Sequence, residues 1–129
     1  MKNQGISRRH FIKGAATAAA ACAFFPGRAL GANERVNIGI IGFGGKGSAH
    51  YRDFGKVPGV EIIAVCDADM HRMAEVDDKV AKHQDYRKLL EMKDVDAVVI
   101  AAPDHWHCLA AITAFEAGKH AYVEKPVSH

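Results

Sequence analysis

The tightest constraint in this sequence is six residues long. Gly42-Phe43-Gly44-Gly45-Lys46-Gly47 follows directly on the apolar, β-branched run Val36-Asn37-Ile38-Gly39-Ile40-Ile41 and opens a stretch with helical patterning. In a strand that passes into a helix through Gly-x-Gly-x-x-Gly, each glycine has its own task. Gly42 permits the tight turn, Gly44 lets the backbone approach a pyrophosphate, and Gly47 lets the helix pack closely on the sheet. Backbone N–H groups from Gly44 to Lys46 and the helix N-terminus then face the anion above them. Alone the motif is weak, because glycines often merely turn a chain. Its surroundings decide its meaning.

Those surroundings alternate strand and helix. Val60-Glu61-Ile62-Ile63-Ala64-Val65-Cys66, Ala97-Val98-Val99-Ile100-Ala101 and the shorter Ala121-Tyr122-Val123 are further apolar runs. Helical stretches are predicted over 47–56, 69–82, 86–92 and 105–117, the last with Leu109, Ile112, Thr113 and Glu116 at helical spacing and Gly118 as its stop signal. Near-continuous apolar strands separated by helices predict a parallel sheet covered on both faces: an α/β, Rossmann-type doubly wound fold. Ligands of such sheets bind beyond the carboxyl ends of the strands. Here those ends are residues 42–47, 67–69, 102–107 and 124–126.

Asp67 closes the second strand, 20 residues after Gly47. A carboxylate there accepts hydrogen bonds from both ribose hydroxyls of an adenosine and repels a 2′-phosphate, which favours NAD over NADP. The competing role is a helix N-cap, for which Asp69 is better placed. Arg72 is the nearby cation able to restore NADP binding. The glycine turn, its flanking elements and this acid together predict a bound dinucleotide.

Two further strand ends carry unusual residues. Ala102-Pro103-Asp104-His105-Trp106-His107 flanks the predicted crevice; two His around a Trp raise the question of a metal, but ligands so close together at a helix start make a poor cage, and no metal is expected. The plainer alternative is a helix start with Asp104 capping and Trp106 packing. Glu124-Lys125-Pro126 ends the fourth strand. Lys at a strand end is usually a solvated charge. Aimed into a cleft beside nicotinamide, Lys125 would instead orient a hydroxyl and stabilise a developing alkoxide.

The first 31 residues read differently. They hold Lys2, Arg8, Arg9, Lys13 and Arg28 and no acid, whereas the remainder carries a net negative balance. The overall charge of +2 therefore hides a basic leader, and no basic stripe supports a nucleic-acid partner. Residues 1–32 have the order of a secretory signal: a basic start, an apolar run from Ala15 to Phe25, then small residues around Gly31. Eleven Ala-rich residues are too short for a bilayer, which needs about 20. Ser7-Arg8-Arg9-His10-Phe11-Ile12-Lys13 resembles a twin-arginine (Tat) signal, with Ile12 in place of the usual Leu. That implies export of a folded, cofactor-loaded protein through the Tat machinery to a periplasmic or other extracytoplasmic location. A lipoprotein use of Cys22 is disfavoured. Cys66 and Cys108 then need not pair, and both are expected to be buried free thiols.

Together, Gly42 to Gly47, Asp67, Asp85-Tyr86-Arg87-Lys88-Leu89-Leu90, Asp94 to Ile100, Pro103-Asp104-His105-Trp106-His107 and Glu124-Lys125-Pro126 resemble the N-terminal NAD(P)-binding domain of the Gfo/Idh/MocA oxidoreductases. The resemblance spans about residues 35–129, nearly all of the chain after the leader. It implies cofactor contacts at Gly42, Phe43, Gly44, Gly45, Lys46, Gly47, Asp67, Ala102, Pro103, His107, Glu124 and Lys125. Lys125 would also be the catalytic contact to substrate, with hydride passing between NAD and a carbinol carbon of a sugar or polyol. Two departures stand out. The stretch from Asp67 to Tyr86 is short, so the second crossover helix and the third family strand look trimmed, with His83-Gln84 as the remnant. Ala102 replaces a frequent Thr. Family members also continue into a second α/β domain that supplies the substrate face and much of a homo-oligomer interface. This predicts that residues 33–129 are an incomplete domain of a longer protein, with a four-stranded half-sheet.

The composition excludes other classes. With 49% hydrophobic residues and a net charge of +2, the chain is not disordered, and 12 Gly without a period and three Cys exclude collagen-like and disulfide frameworks. The leading expectation is the cofactor domain of an NAD-dependent sugar or polyol oxidoreductase. Two others stand beside it: an NAD-dependent glycoside hydrolase working through transient oxidation, and a truncated nucleotide-binding product without catalysis.

Overall fold

The computed structural model describes residues 35–127. Five strands form one parallel sheet: β1 (Val36–Ile41), β2 (Val60–Cys66), β3 (Ala81–His83), β4 (Ala97–Ile100) and β5 (His120–Val123). Their spatial order is β3-β2-β1-β4-β5, so the chain winds outward one way from β1 and then returns to wind the other way. The point of reversal lies between β1 and β4. Helices α1 (Gly45–Phe54), α2 (Tyr86–Leu90) and α3 (His107–Glu116) make the connections, with 3₁₀ turns at Met70–Met73 and Asp104–Trp106.

Both faces of the sheet are covered, and strand alternation sorts the core accordingly. Ile41, Ala64, Cys66, Val98 and Ile100 face α2 and α3, packing on Leu89, Leu90, Ala110, Ala111 and Ala114. Their neighbours Ile38, Ile40, Val65 and Val99 face the other way, against Met73, Val76 and Val80, with Tyr51 and Phe54 of α1 alongside. Full burial of aliphatic side chains of this size contributes about 1.5–3 kcal/mol each.

The strand register is what prepares a site. Ile41 pairs with Cys66 and with Ile100, Cys66 pairs with His83, and Ile100 pairs with Val123. All five strands therefore end level. The residues just beyond them are stitched together: Gly42 N–H donates to Cys66 O (2.8 Å), Asp67 N–H to His83 O (3.1 Å), Ala101 N–H to Ile41 O (2.8 Å) and Glu124 N–H to Ile100 O (2.9 Å).

Three expectations are corrected. The sheet has five strands among the described residues, not four, because Ala81–His83 forms a short edge strand beyond β2. The helix expected over 69–82 is a single 3₁₀ turn followed by turns. Met73, Val76 and Val80 have helical spacing and are buried, but β3 starts level with Ala64, so the chain returns only two strand levels, about 7 Å, before pairing again. That return is too short for a crossover helix. Turn hydrogen bonds absorb the rest, including Val80 N–H to Asp77 O and Lys79 N–H to the Asp77 carboxylate. Lastly, Cys108 is exposed, while Cys66 is buried as expected. α3 lays its alanines on the sheet and turns Cys108, Leu109 and Ile112 to the surface, since only small side chains allow the helix so close.

Helix boundaries shift by one or two residues, which is usual for fraying ends. Gly118, at φ +72°, ends the α3 segment as its sequence position implied. The leader residues lie outside the described part of the structure. Among the described residues, no helix is long and apolar enough to cross a membrane.

Candidate functional site

The turn after β1 explains its glycines. Gly42 has φ +87°, and a Cβ on it would meet the Ala102 backbone N at 2.4 Å. A Cβ on Gly47 would lie 1.8 Å from Gly42 O, so the first turn of α1 sits directly on the loop that precedes it. Side chains are excluded at both positions by backbone atoms, which cannot swing away. Phe43 is buried between these elements, edge-on to Tyr51 with ring centroids 5.5 Å apart. Gly44 is the N-cap of α1 and offers no capping side chain, so the amides of the first helical turn are left for an external acceptor.

Asp67 lies beside this loop, its side chain 11% exposed. Oδ2 accepts from Phe43 N–H at 2.7 Å and Oδ1 from Asp69 N–H at 2.9 Å. A carboxylate has about four lone-pair sites, so both oxygens keep capacity for a hydroxyl pair. Asp69 instead caps the 3₁₀ turn, accepting from His71 N–H at 3.1 Å, the capping role expected of it from the sequence. Arg72 spans the two acids, with Nη1 3.9 Å from Asp67 Oδ2 and Nε 3.6 Å from Asp69 Oδ2.

A cavity of about 550 Å³ opens at the strand ends. Gly42, Asp67, Ala102 and Pro103 of the predicted set border it. Its other walls include Arg72, noted from the sequence as the cation able to restore NADP binding, Trp106 of the turn expected to flank the crevice, and Gln84, Asp85, Tyr86 and Arg87, to which the sequence reading gave no cofactor contact. Gln84 holds one rim, its Nε2 donating to Ala68 O at 2.9 Å. Asp85 accepts from Arg87 through backbone and side chain, and that hydrogen bonding holds its carboxyl below the ordinary aspartate range. Cys66 sits beneath, and burial, with the Asp67 and Asp85 charges, pushes its thiol up to about 12. At neutral pH that keeps it as the protonated thiol, the unreactive form of cysteine.

Glu124 and Lys125 follow β5 and are not among the residues that line this cavity. Glu124 Oε1 is 2.6 Å from His50 Nε2 and 3.7 Å from Lys46 Nζ, which ties the end of β5 to α1. The hydrogen bond from His50 lowers the Glu124 pKa, with Lys46 adding to the effect. His50 escaped the sequence reading. It lies one helical turn beyond Gly47, and only the fold shows that this face meets β5. Lys125 is exposed, followed by a cis peptide to Pro126.

His107 is 3% exposed, with Nδ1 2.7 Å from Pro126 O and Nε2 2.7 Å from Ala102 O. Both ring nitrogens face carbonyls, so this side chain fixes the turn after β4 against the turn after β5. Asp104 accepts from His105 N–H at 2.9 Å, and Trp106 is 43% exposed rather than packed away. Among the described residues, no group of three His, Cys, Asp or Glu side chains converges on a metal position.

A parallel doubly wound sheet, a glycine turn feeding a helix N-terminus at the reversal point, and an acid at the end of β2 define a dinucleotide-binding Rossmann domain. Residues 36–129 match the Gfo/Idh/MocA oxidoreductase family, described as an NAD-binding Rossmann fold, and residues 5–25 match the twin-arginine translocation signal. The chain belongs to the Gfo/Idh/MocA oxidoreductase family and carries a Tat signal.

Similar proteins bracket two kinds of chemistry. A glycosyl hydrolase family 109 protein of Shewanella pealeana is 37% identical over 107 residues, which is 74% of this chain and 24% of that protein. An alpha-N-acetylgalactosaminidase of Shewanella oneidensis is 33% identical over 159 residues, 95% of this chain and 34% of the relative. Among solved structures, scyllo-inositol dehydrogenase from Lactobacillus casei with bound NAD(H) and scyllo-inositol superposes with a TM-score of 0.68 at 28% identity, over 73% of this chain and 29% of that one. The chain thus spans about a quarter to a third of the length of these proteins.

Proposed function

We propose that this chain is the NAD-binding part of an exported enzyme that moves a hydride to or from a sugar or polyol carbinol. One observation carries the reading. Asp67, a carboxylate with acceptor sites to spare, borders the same cavity as the glycine turn. The residues fit the cofactor, with α1 amides for the pyrophosphate and Asp67 for the adenosine ribose. NAD is favoured over NADP, because Asp67 repels a 2′-phosphate and Arg72 is already shared between two acids. Bound NAD would supply the hydride acceptor or donor.

The protein's own part is placement. His50 and Lys46 hold Glu124, and with it the strand end that presents Lys125. In this reading Lys125 meets the substrate hydroxyl and steadies negative charge developing on its oxygen. Pro103 and Ala102 line the cofactor side of the crevice. The Tat signal supports a periplasmic or extracytoplasmic site of action, with the cofactor loaded before export. The longer protein would complete the substrate face and assemble as a homo-oligomer.

A second reading has its own support. Similarity to the Shewanella hydrolases favours a glycosidase that oxidises a sugar carbon transiently and returns the hydride. A net change in the oxidation state of the sugar separates the two, being one hydride gained or lost per turnover for the oxidoreductase and none for the hydrolase. The common premise is tested by calorimetric titration of the full chain with NAD and with NADP. Saturable NAD binding, tighter than NADP, is expected. A folded chain that binds neither would defeat the proposal.

A further inference from the structure

Among the described residues, His107 is the one polar side chain that is buried, at 3% exposed. It opens α3, and its ring meets two separate turns: Nδ1 lies 2.7 Å from Pro126 O and Nε2 2.7 Å from Ala102 O. A carbonyl oxygen has no proton to give, so each contact needs a proton on the ring nitrogen. Neutral imidazole carries one N–H and one lone pair. In either tautomer it would satisfy one carbonyl and aim its lone pair at the other, in a buried place where an unmatched polar group is costly. Imidazolium satisfies both. The two distances agree, since hydrogen bonds from a charged donor are the shorter ones.

We infer that His107 is a doubly protonated clamp, a positioning residue whose cationic ring ties the turn after β4 to the turn after β5. The first turn gives Ala102 and Pro103 to the cavity, and the second carries Lys125 next to Pro126. His107 itself does not line the cavity and acts through these turns. Loss of one ring proton to solvent leaves a lone pair facing one carbonyl, and that turn is released. The other titratable groups on the surrounding elements have their own settings. Asp104 and His105 lie 3.6 Å apart on the preceding turn, and Glu124 is bound to His50 and Lys46 of α1. Lys125 and Cys108 are exposed, and Tyr86 of α2 packs against the core and Trp106. The effect on ligand rests on the dinucleotide reading above, whereas the protonation of the ring rests on geometry alone.

Nuclear magnetic resonance of the isotope-labelled full chain, followed from acid to alkaline pH, reads each imidazole separately, with His107→Gln assigning the ring. At the acid end both nitrogens of His107 should carry protons shielded from solvent exchange. As one proton leaves, the carbonyl carbon of Ala102 or of Pro126 should shift with it. Calorimetric NAD affinity of the native chain should fall about fivefold or more over the same step. His107→Gln, which can donate to one turn only, should be weaker by a similar factor and show no such step, with a thermal melt confirming that it folds. A single neutral tautomer of His107 at every pH, or a ring titration that leaves both carbonyl signals unmoved, overturns the clamp. NAD affinity in the native chain that ignores the ring titration overturns its positioning role. Absence of NAD heats in the folded native chain overturns the dinucleotide reading, and the ring spectra still decide the clamp.

Discussion

The backbone N–H of Phe43 donates to the Asp67 carboxylate at 2.7 Å, so the acid that ends the second strand also holds the glycine turn that ends the first. Two features separated by 24 residues in the chain form one device. Asp67→Ala should therefore do two things. It should cost about 1–3 kcal/mol of stability, because a charge-assisted hydrogen bond to the loop is lost. It should also weaken NAD by about tenfold or more while narrowing the preference over NADP. Unfolding curves and paired calorimetric titrations measure each part, and unchanged titrations for both nucleotides would take Asp67 out of the ribose site.

The glycines of the loop should differ sharply when replaced. A Cβ on Gly47 meets Gly42 O at 1.8 Å, whereas one on Gly45 finds nothing within 4 Å. Gly47→Ala is expected to destabilise by about 1–3 kcal/mol and to displace the loop. Gly45→Ala should be neutral or stabilising by up to about 1 kcal/mol, since alanine is the better helix former. Chemical denaturation of the two variants side by side provides the comparison.

Acid stability should depend on Glu124. Its hydrogen bond from His50 lowers its native pKa below the ordinary glutamate value of 4.5. The native state thus holds its proton less tightly than the unfolded chain does. The stabilisation is complete above the unfolded value and is lost as pH falls through the lowered native one. Glu124→Gln should be less stable at neutral pH and should lose less on acidification. Asp85, lowered in the same direction by Arg87, keeps some acid dependence in that variant. Stability measured against pH from neutral to acid is the check.

The two cysteines of the folded part should react oppositely. Cys66 is buried, with its thiol pushed up to about 12, and Cys108 is exposed on α3. Alkylation of the native chain at pH 8, read by peptide mass spectrometry, should label Cys108 and spare Cys66. Because the raised Cys66 pKa favours the neutral thiol, its contribution is full below the unfolded value of 9.0 and disappears as pH rises toward about 12. Cys66→Ser should blunt the alkaline loss of stability.

Export should require the guanidinium pair. Arg8→Lys with Arg9→Lys preserves charge but changes the signal matched over residues 5–25, and should leave the protein in the cytoplasm. Fractionation and immunoblotting decide it, and normal export of the double variant would contradict the assignment.

Local patterns in the sequence determined much of this. Apolar β-branched runs fixed four strands, because continuous burial on both faces leaves a pattern that each strand carries by itself. Gly42 and Gly47 were legible because backbone contact excludes every other side chain there, and Asp67 was legible by its spacing from them. Residues 69–82 were misread for a physical reason. Met73, Val76 and Val80 satisfy helical spacing, yet the distance to be crossed back to β3 is set by sheet register, which no local window contains.

Tertiary structure alone decided how the site is assembled. Level strand ends, fixed by the pairing of Ile41 with both Cys66 and Ile100, bring four separate turns to one rim. The His50–Glu124 pair joins residues 74 apart, and the ring of His107 bridges the carbonyls of Ala102 and Pro126. Tyr86 and Trp106 become one surface only because α2 and the turn after β4 lie on the same side of the sheet. Sequence specifies residue types and local periods, which act over a few residues. Long-range hydrogen bonds and ring contacts depend on which strands become neighbours, and only the folded sheet makes that choice.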